Sequence, residues 1–169
     1  ISKSSDLSRE QIIDAMLSAR VWPFIRQKPY DIIADPNDIP KAIFISSFDS
    51  APLSIDNDFA LYGMDDLFQE GLDYIIKLTN GKTHLNIDGR TSGSELFSSA
   101  RGVEVNSISG PHPSGNVGVQ IHHIDPISKG DTIWYLEPQD VLVIARLFRE
   151  GRYDVSRIVA LAGGQVSKP

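Results

Sequence analysis

Two prolines and three glycines surround a histidine in the loop with the most unusual composition of the chain. The run reads Gly110-Pro111-His112-Pro113-Ser114-Gly115-Asn116-Val117-Gly118. Proline fixes its own backbone angle and glycine permits the close approach of another group, so this loop can present one side chain rigidly. A histidine presented in this way can hydrogen-bond a carbonyl oxygen of a ligand or transfer a proton. The alternative is a structural turn whose own backbone satisfies His112.

Phosphate-binding patterns are weak. The turn after the first predicted strand is Ser46-Ser47-Phe48-Asp49-Ser50-Ala51-Pro52, which lacks the Gly-x-Gly-x-x-Gly fingerprint of dinucleotide-binding folds. Residues 88–93 follow the next strand and could present backbone amides to an anion, although a turn followed by a helix cap is the simpler interpretation. Asp65 and Asp66 stand at a predicted helix start, where negative charge complements the helix dipole.

Metal and hydrolase chemistry have little support. His122, His123 and Asp125 are close in sequence, but neighbouring side chains diverge on both strands and helices, so a shared metal ion is not expected. The chain has no Gly-x-Ser-x-Gly elbow. We therefore assign no catalytic residue and no metal ligand.

Composition excludes several other classes of protein. The 169 residues carry a net charge of -6 and no cysteine. Phosphate neutralisation needs clustered Lys and Arg, so a nucleic-acid partner is not expected. Disulfides and iron–sulfur ligation by this chain are excluded. No apolar run approaches the roughly 20 residues that a membrane-spanning helix needs. The chain begins with Ile1 rather than Met, and we expect it to be an internal part of a longer protein.

The elements that must position the loop alternate between helices and strands. Ser8 and Gln11 have capping-box spacing, and Ile12, Ile13 and Met16 follow at helical intervals. The remaining patterns predict strands at 42–45, 84–87, 103–108, 132–136 and 157–161, and helices at 65–78, 94–100 and 138–150. This order predicts an α/β fold, a Rossmann-like and mostly parallel sheet with helices on both faces. Residues 1–40 would form an N-terminal helix and a Pro-rich connection (29–40), and residues 41–169 the Rossmann-like domain.

The loop and its surroundings resemble a known family as a combination. Ile121-His122, Asp125-Pro126, Trp134 and Gln139-Asp140-Val141 follow the loop at characteristic spacing. The sequence resembles the NqrA family, one of the subunits of the bacterial sodium-translocating NADH:quinone oxidoreductases. The likeness continues through Leu147-Phe148 to Lys168-Pro169 and reaches back to Lys41-Ala42-Ile43-Phe44. It therefore covers most of the chain.

The resemblance implies a fold related to the flavin-binding subunit of respiratory complex I. That relative holds FMN and NADH with a glycine-rich loop, where this sequence has Ser47, Phe48 and Asp49. We therefore expect no stably bound flavin. The resemblance places FAD, FMN, riboflavin and an iron–sulfur cluster in other subunits, which would be the partners, and places this family peripherally at the cytoplasmic face of the inner membrane.

Two functions remain open on this basis. The chain could be a structural domain of the sodium pump that has lost its flavin loop and is inactive by itself. Alternatively, it could contribute directly to binding ubiquinone, or a flavin or nucleotide, with a redox role of its own. For ubiquinone the candidate residues are those of the loop: Gly110, Pro111, His112, Pro113 and Gly115.

Overall fold

One mixed sheet forms the centre of the molecule. A computed structural model of the chain describes residues 6–90, 95–164 and 166. The strands are β1 (Arg26–Lys28), β2 (Ile32–Ile33), β3 (Ala42–Ser46), β4 (Lys82–Asp88), β5 (Glu104–Ile108) and β6 (Ile133–Leu136). Their spatial order is β2-β1-β6-β3-β4-β5. Strands β6, β3, β4 and β5 are parallel, whereas β1 runs antiparallel to both β2 and β6. The predicted mostly parallel sheet is confirmed.

Six α-helices accompany the sheet in the described parts of the chain. They are α1 (Arg9–Ser18), α2 (Asn57–Ala60), α3 (Asp65–Ile75), α4 (Glu95–Ser98), α5 (Val117–Ile124) and α6 (Pro138–Glu150). Helix α1 begins with the predicted capping box, in which Ser8 Oγ accepts from Gln11 N–H and the Gln11 side chain accepts from Ser8 N–H. Helix α6 ends at Gly151, whose φ of 65° is a left-handed conformation that glycine adopts without strain.

The larger hydrophobic core lies on one face of the sheet. Strand side chains that point to this face, including Ile43, Ile45 and Trp134, are fully buried against helices α1, α3 and α6. Trp134 also meets Trp22 edge to face, with 5.4 Å between ring centroids. Each such buried side chain stabilises the fold by about 1.5–3 kcal/mol. This core fixes the sheet and thereby the positions of the loops at its ends.

A smaller cluster covers the opposite face. Here Ala42, Phe44 and Ile133 pack against Ile121 of α5. Helices therefore cover both faces of the sheet, as the sequence predicted. Helix α5 itself was not predicted, although Asn116 caps its N-terminus by accepting from Gly118 N–H at 2.8 Å.

Two further expectations from the sequence differ from the structure. Residues 29–40 were predicted to be a connection, but Ile32–Ile33 forms strand β2 of a short hairpin with β1. The predicted strand at 157–161 was wrong, because this segment is irregular. Its Ile158 backbone is bound by a side chain instead: Gln139 Nε2 donates to Ile158 O and Gln139 Oε1 accepts from Ile158 N–H, both at 2.9 Å.

Candidate functional site

The carboxyl ends of the parallel strands meet at one edge of the sheet. Strands β3, β4 and β5 follow one another in one direction, and β6 then lies on the other side of β3. The chain connections therefore diverge between β3 and β6. In open α/β sheets ligands bind in the crevice outside the carboxyl ends of the strands at such a switch point. The loop 110–118 reaches this edge because it follows β5.

A polar cleft of about 590 Å³ lies at the switch point. Its walls come from the turn after β3, the loop after β5, the start of α6 and the β1–β2 hairpin. At the hairpin, Tyr135 O–H donates to Asp31 Oδ1 at 2.5 Å. Burial, and then this hydrogen bond, raises the pKa of Tyr135 to about 12. At the start of α6, Arg157 pairs with the buried carboxylate of Asp140. The cleft thus has charges of both signs, most of them already paired.

His112 stands between this cleft and a second, more apolar groove, and contributes to both. Its Nδ1 lies 3.1 Å from Ser50 Oγ, in the turn after β3. The same Ser50 oxygen accepts from Gly115 N–H at 2.9 Å. Ser50 therefore ties the imidazole and the loop backbone together. Among the described residues, Nε2 is the ring nitrogen left for a ligand.

Gly115 is required by packing within the chain. A Cβ at this position would lie 2.3 Å from Ser50 N and 2.7 Å from Asp49 C, closer than side-chain atoms ever approach backbone. The sequence predicted that glycine in this loop allows a close approach, and at Gly115 the approaching group is the turn after β3. Gly110 and Pro111 instead line the groove, Gly115 lines the cleft, and Pro113 lines both. The other four candidate residues thus lie around His112, and the role of all five in binding quinone stays a prediction.

The apolar groove has a volume of about 510 Å³. Strand β5 and the loop form one side, and helix α5 forms the other with Val119, Gln120, His123 and Ile124. Pockets that bind small organic ligands are typically of this size, mostly apolar, with a few polar groups that fix orientation. His123 was considered as a metal ligand from the sequence, and its place on this wall went unnoticed because α5 was not predicted.

A buried polar network holds the loop and α5 on the sheet. Gln120 is only 2% exposed. Its Nε2 donates to Ser46 Oγ at 2.9 Å and to Ser114 O at 3.0 Å, and its Oε1 accepts from Asn86 Nδ2 at 2.8 Å. Asn106 continues the network on β5 by donating to Asn86 Oδ1 at 2.9 Å. Buried polar groups that are fully hydrogen-bonded make a position specific, so the groove wall is firmly placed.

His84 stands at the far end of this network. Its Nδ1 lies 3.2 Å from Asn106 Nδ2 and 3.6 Å from a Glu104 oxygen, and its ring stacks on Phe44. Burial lowers the pKa of His84, although nearby Glu104 and Asp125 act in the opposite direction. Nε2 of His84 is buried without a hydrogen-bond partner in the described parts of the chain. The neutral imidazole is therefore the favoured form.

An acidic pocket of about 350 Å³ lies where β3 and β4 end. Four carboxylates contribute to it: Asp49, Asp56, Asp58 and Asp88. Arg90, the nearby cation from the candidate anion site at 88–93, hydrogen-bonds Asp88 and holds the pKa of that carboxyl below its usual range. Residues 91–93 lie outside the described residues. The pocket as described disfavours a phosphate group on electrostatic grounds.

The histidine pair of α5 does not converge with its neighbouring carboxylate. The rings of His122 and His123 are 5.3 Å apart and nearly perpendicular. Asp125 instead binds Lys41, with 2.6 Å between Oδ1 and Nζ. Within residues 6–90, 95–164 and 166, no group of three or more potential ligands is placed to hold a metal ion.

Comparison with known families decides the identity of the domain. The family described as the NqrA second alpha/beta domain matches residues 7–153. The chain belongs to this family. The resemblance to NqrA of the sodium-translocating NADH:quinone oxidoreductases is thereby confirmed, and the match includes β1 to β6 and the whole loop from Gly110 to Gly118.

Curated relatives carry the corresponding name. The NqrA protein of the Na(+)-translocating NADH-quinone reductase of Photorhabdus laumondii is 37% identical over 167 residues, which cover 98% of this chain and 36% of the relative. The Serratia proteamaculans protein of the same name is 35% identical over all of this chain and 37% of its own length, and that of Rhodopirellula baltica is 33% identical over 96% and 35%. The chain thus spans about a third of the length of these relatives. Its described helices include none that is long and apolar enough to cross a membrane.

Proposed function

We propose that this NqrA second domain is a peripheral, structural domain of a sodium-translocating NADH:quinone reductase, and that it holds neither flavin nor NADH itself. The acidic pocket at the ends of β3 and β4 carries this proposal. Nucleotide-binding relatives of this architecture place phosphate near the carboxyl ends of the first strands, against glycine backbone and a helix N-terminus. Here Ser47, Phe48 and Asp49 occupy that turn, and Asp56, Asp58 and Asp88 surround it.

In this proposal the redox centres, namely FAD, FMN, riboflavin and an iron–sulfur cluster, belong to other subunits, and the domain attaches to those subunits at the cytoplasmic face of the membrane. The absence of cysteine from the chain supports the assignment of the cluster elsewhere. The relation to the flavin subunit of complex I is proposed at the level of fold, with the nucleotide site lost. The isolated chain is then expected to have no NADH:quinone reductase activity.

Isothermal titration of the purified chain with FMN and with NADH tests this proposal. We expect no saturable heat with either ligand. The control is a variant in which asparagine replaces Asp49, Asp56 and Asp58. It keeps the shape of the pocket and removes negative charge, so it tests whether that charge excludes FMN and NADH. Stoichiometric binding of FMN or NADH by the unchanged chain would overturn the proposal.

A second function, contact with ubiquinone, is favoured by the groove beside His112. A quinone ring is flat and apolar and carries two carbonyl oxygens that only accept hydrogen bonds. The groove offers an apolar wall from Ile108, Val119 and Ile124, with His112 and His123 as available donors. If Ser50 O–H donates to His112 Nδ1, the proton of the neutral ring is on Nε2, from which it can be donated to a carbonyl oxygen.

Amide NMR titration of the chain with a short-chain ubiquinone tests this second function. Saturable shifts are expected in residues 107–124. His112→Ala is expected to weaken binding about tenfold, which corresponds to one lost hydrogen bond of about 1.4 kcal/mol. His122→Ala is the matched control, because His122 is an exposed neighbour that does not line the groove. Equal affinity in all three proteins would exclude a role for His112.

A further inference from the structure

The segment between β3 and α3 presents an apolar surface to solvent. Phe59 in helix α2 is 81% exposed, Tyr62 in the turn after this helix is 87% exposed, and Leu53 in the preceding turn is 71% exposed. We call residues 53–62 the aromatic segment. Exposed single apolar residues are common on proteins, but an exposed group of large ones on a short segment marks an interaction surface.

The aromatic segment is firmly anchored, so its exposed rings do not result from loose attachment. Asn57 Nδ2 donates to Ser47 O at 2.9 Å, and this bond is buried. Asp56 caps α2 by accepting from Asp58 N–H and Phe59 N–H. Ala60 and Leu61 are buried in the main core. The inner side of the segment therefore packs on the domain while Phe59 and Tyr62 face outward.

Leu53 adds a second sign that the outward surface is specified. Its φ is 61°, a left-handed conformation that is unfavourable for a leucine and that glycine or asparagine adopts more easily. The strained residue is a large apolar one, and its side chain is in solvent. Because its side chain is 71% exposed, little of its apolar surface packs on the domain to offset this strain.

The sequence around the aromatic segment is acidic. Between Lys41 and Lys77 the sequence has no lysine or arginine. The same stretch has seven acidic residues: Asp49, Asp56, Asp58, Asp65, Asp66, Glu70 and Asp73. Arg149 of α6 neutralises Glu70 at 2.7 Å, but the carboxylates of Asp58, Asp65 and Asp66 have no ion pair among the described residues. Anionic lipid and nucleic acid are repelled by such a surface.

We propose that the aromatic segment is the docking surface for a protein partner whose contact site has an apolar centre and a rim of Lys and Arg. Aromatic side chains at the centre supply most of the affinity of such an interface, and complementary charge at the rim favours association and orientation. This inference rests on the proposed function for the class of partner, which is another subunit of the reductase. It is independent of the His112 groove.

Site-specific photo-crosslinking in the assembled complex tests the surface. The photo-reactive p-benzoylphenylalanine replaces Phe59 or Tyr62 in the native protein, expressed in its own cells. Tyr30 is the matched control, because it is 79% exposed and lies in the β1–β2 turn beside Arg26 and Lys28. Probes at Phe59 and Tyr62 are expected to cross-link to one segment of another subunit, and sequencing of that peptide should show Lys or Arg next to apolar residues.

Substitutions of the aromatic and acidic residues test the docking surface quantitatively. The double variant with Phe59→Ser and Tyr62→Ser is expected to associate with the remaining complex at least tenfold more weakly than the wild type. Its melting temperature should be unchanged. Asp58→Lys with Asp65→Lys should slow association at low salt, and the effect should decrease as salt screens the charges.

Failure of the docking proposal and failure of the proposed function give different results. If the protein co-purifies with the reductase and the Phe59 probe cross-links to lipid, to a second copy of the chain or to nothing, the docking surface is wrong while the proposed function stands. If the protein does not co-purify with the reductase at all, the proposed function fails and the docking proposal fails with it.

Discussion

Replacing Gly115 with alanine is expected to destabilise the folded chain, because a methyl group has no room between the two loops at the carboxyl edge. An ideal Cβ would lie 2.3 Å from Ser50 N and 2.7 Å from Asp49 C. Both are backbone atoms, so a side-chain rotation cannot relieve the contact. The turn after β3 would have to move, and the hydrogen bond of 2.9 Å from Gly115 N–H to Ser50 Oγ would be lost or lengthened.

The magnitude follows from three contributions. Overpacking a close contact costs about 1–3 kcal/mol, and a lost hydrogen bond about 1 kcal/mol more. Alanine also restricts the unfolded chain, which offsets roughly 0.5 kcal/mol. The free energy of unfolding is thus expected to fall by about 1.5–3.5 kcal/mol, equivalent to a decrease in melting temperature of roughly 3–14 °C for a chain of this length.

Thermal unfolding followed by circular dichroism measures this decrease. Gly164→Ala is the matched control, because no atom lies within 4 Å of the position that its Cβ would take, and it should melt like the wild type. A Gly115→Ala protein that melts within about 1 °C of the wild type would refute the packing argument. Glycine at 115 would then have to be explained by a ligand.

Two further predictions concern the buried polar network. Gln120→Leu removes the acceptor of Asn86 Nδ2 and the donor to Ser46 Oγ and Ser114 O, so the free energy of unfolding in urea should fall by about 2–4 kcal/mol. An unchanged value would mean that the network contributes no stability. Burial lowers the pKa of His84. Below its unfolded pKa of about 6.5, the unfolded chain therefore binds more protons than the folded one. The stability present above that pH is lost as the pH falls through the lower folded pKa. His84→Gln should therefore flatten the dependence of unfolding free energy on pH below about 6.5, and identical curves for both proteins would contradict this.

Local sequence signals predicted the elements that carry their own start and stop residues. Ser8 and Gln11 gave the start of α1, and Pro138 with Gly151 gave both ends of α6. The continuous apolar run at 42–45 predicted β3 because a strand covered on both faces needs apolar residues throughout. Alternation of these elements was then sufficient to predict a mostly parallel sheet.

The features that escaped prediction depend on contacts between distant parts of the chain. Strands β1 and β2 are only a few residues long, and they exist because β6 offers an edge to pair with. The apolar run at 157–161 has the composition of a strand. However, both edges of β6 are paired, one with β1 and the other with β3, and Gln139 binds the Ile158 backbone. At the candidate site, the sequence predicted His112. It did not place Ser50, Gln120 and His123 there, because these residues join the site only through the positions of β3 and α5 beside the loop.

Strand β6 is the last strand in the described part of the chain, yet it lies between β1 and β3 in the sheet. Its Trp134 donates from Nε1 to Gln27 Oε1, a contact between residues 107 positions apart. During synthesis, one edge of β3 therefore stays unpaired until residue 136 has left the ribosome. Until then the β1–β2 hairpin also has no sheet to join. Contacts of such long sequence separation slow folding and leave strand edges open to wrong partners. A nascent chain that stops short of β6 lacks the strand that joins its two halves.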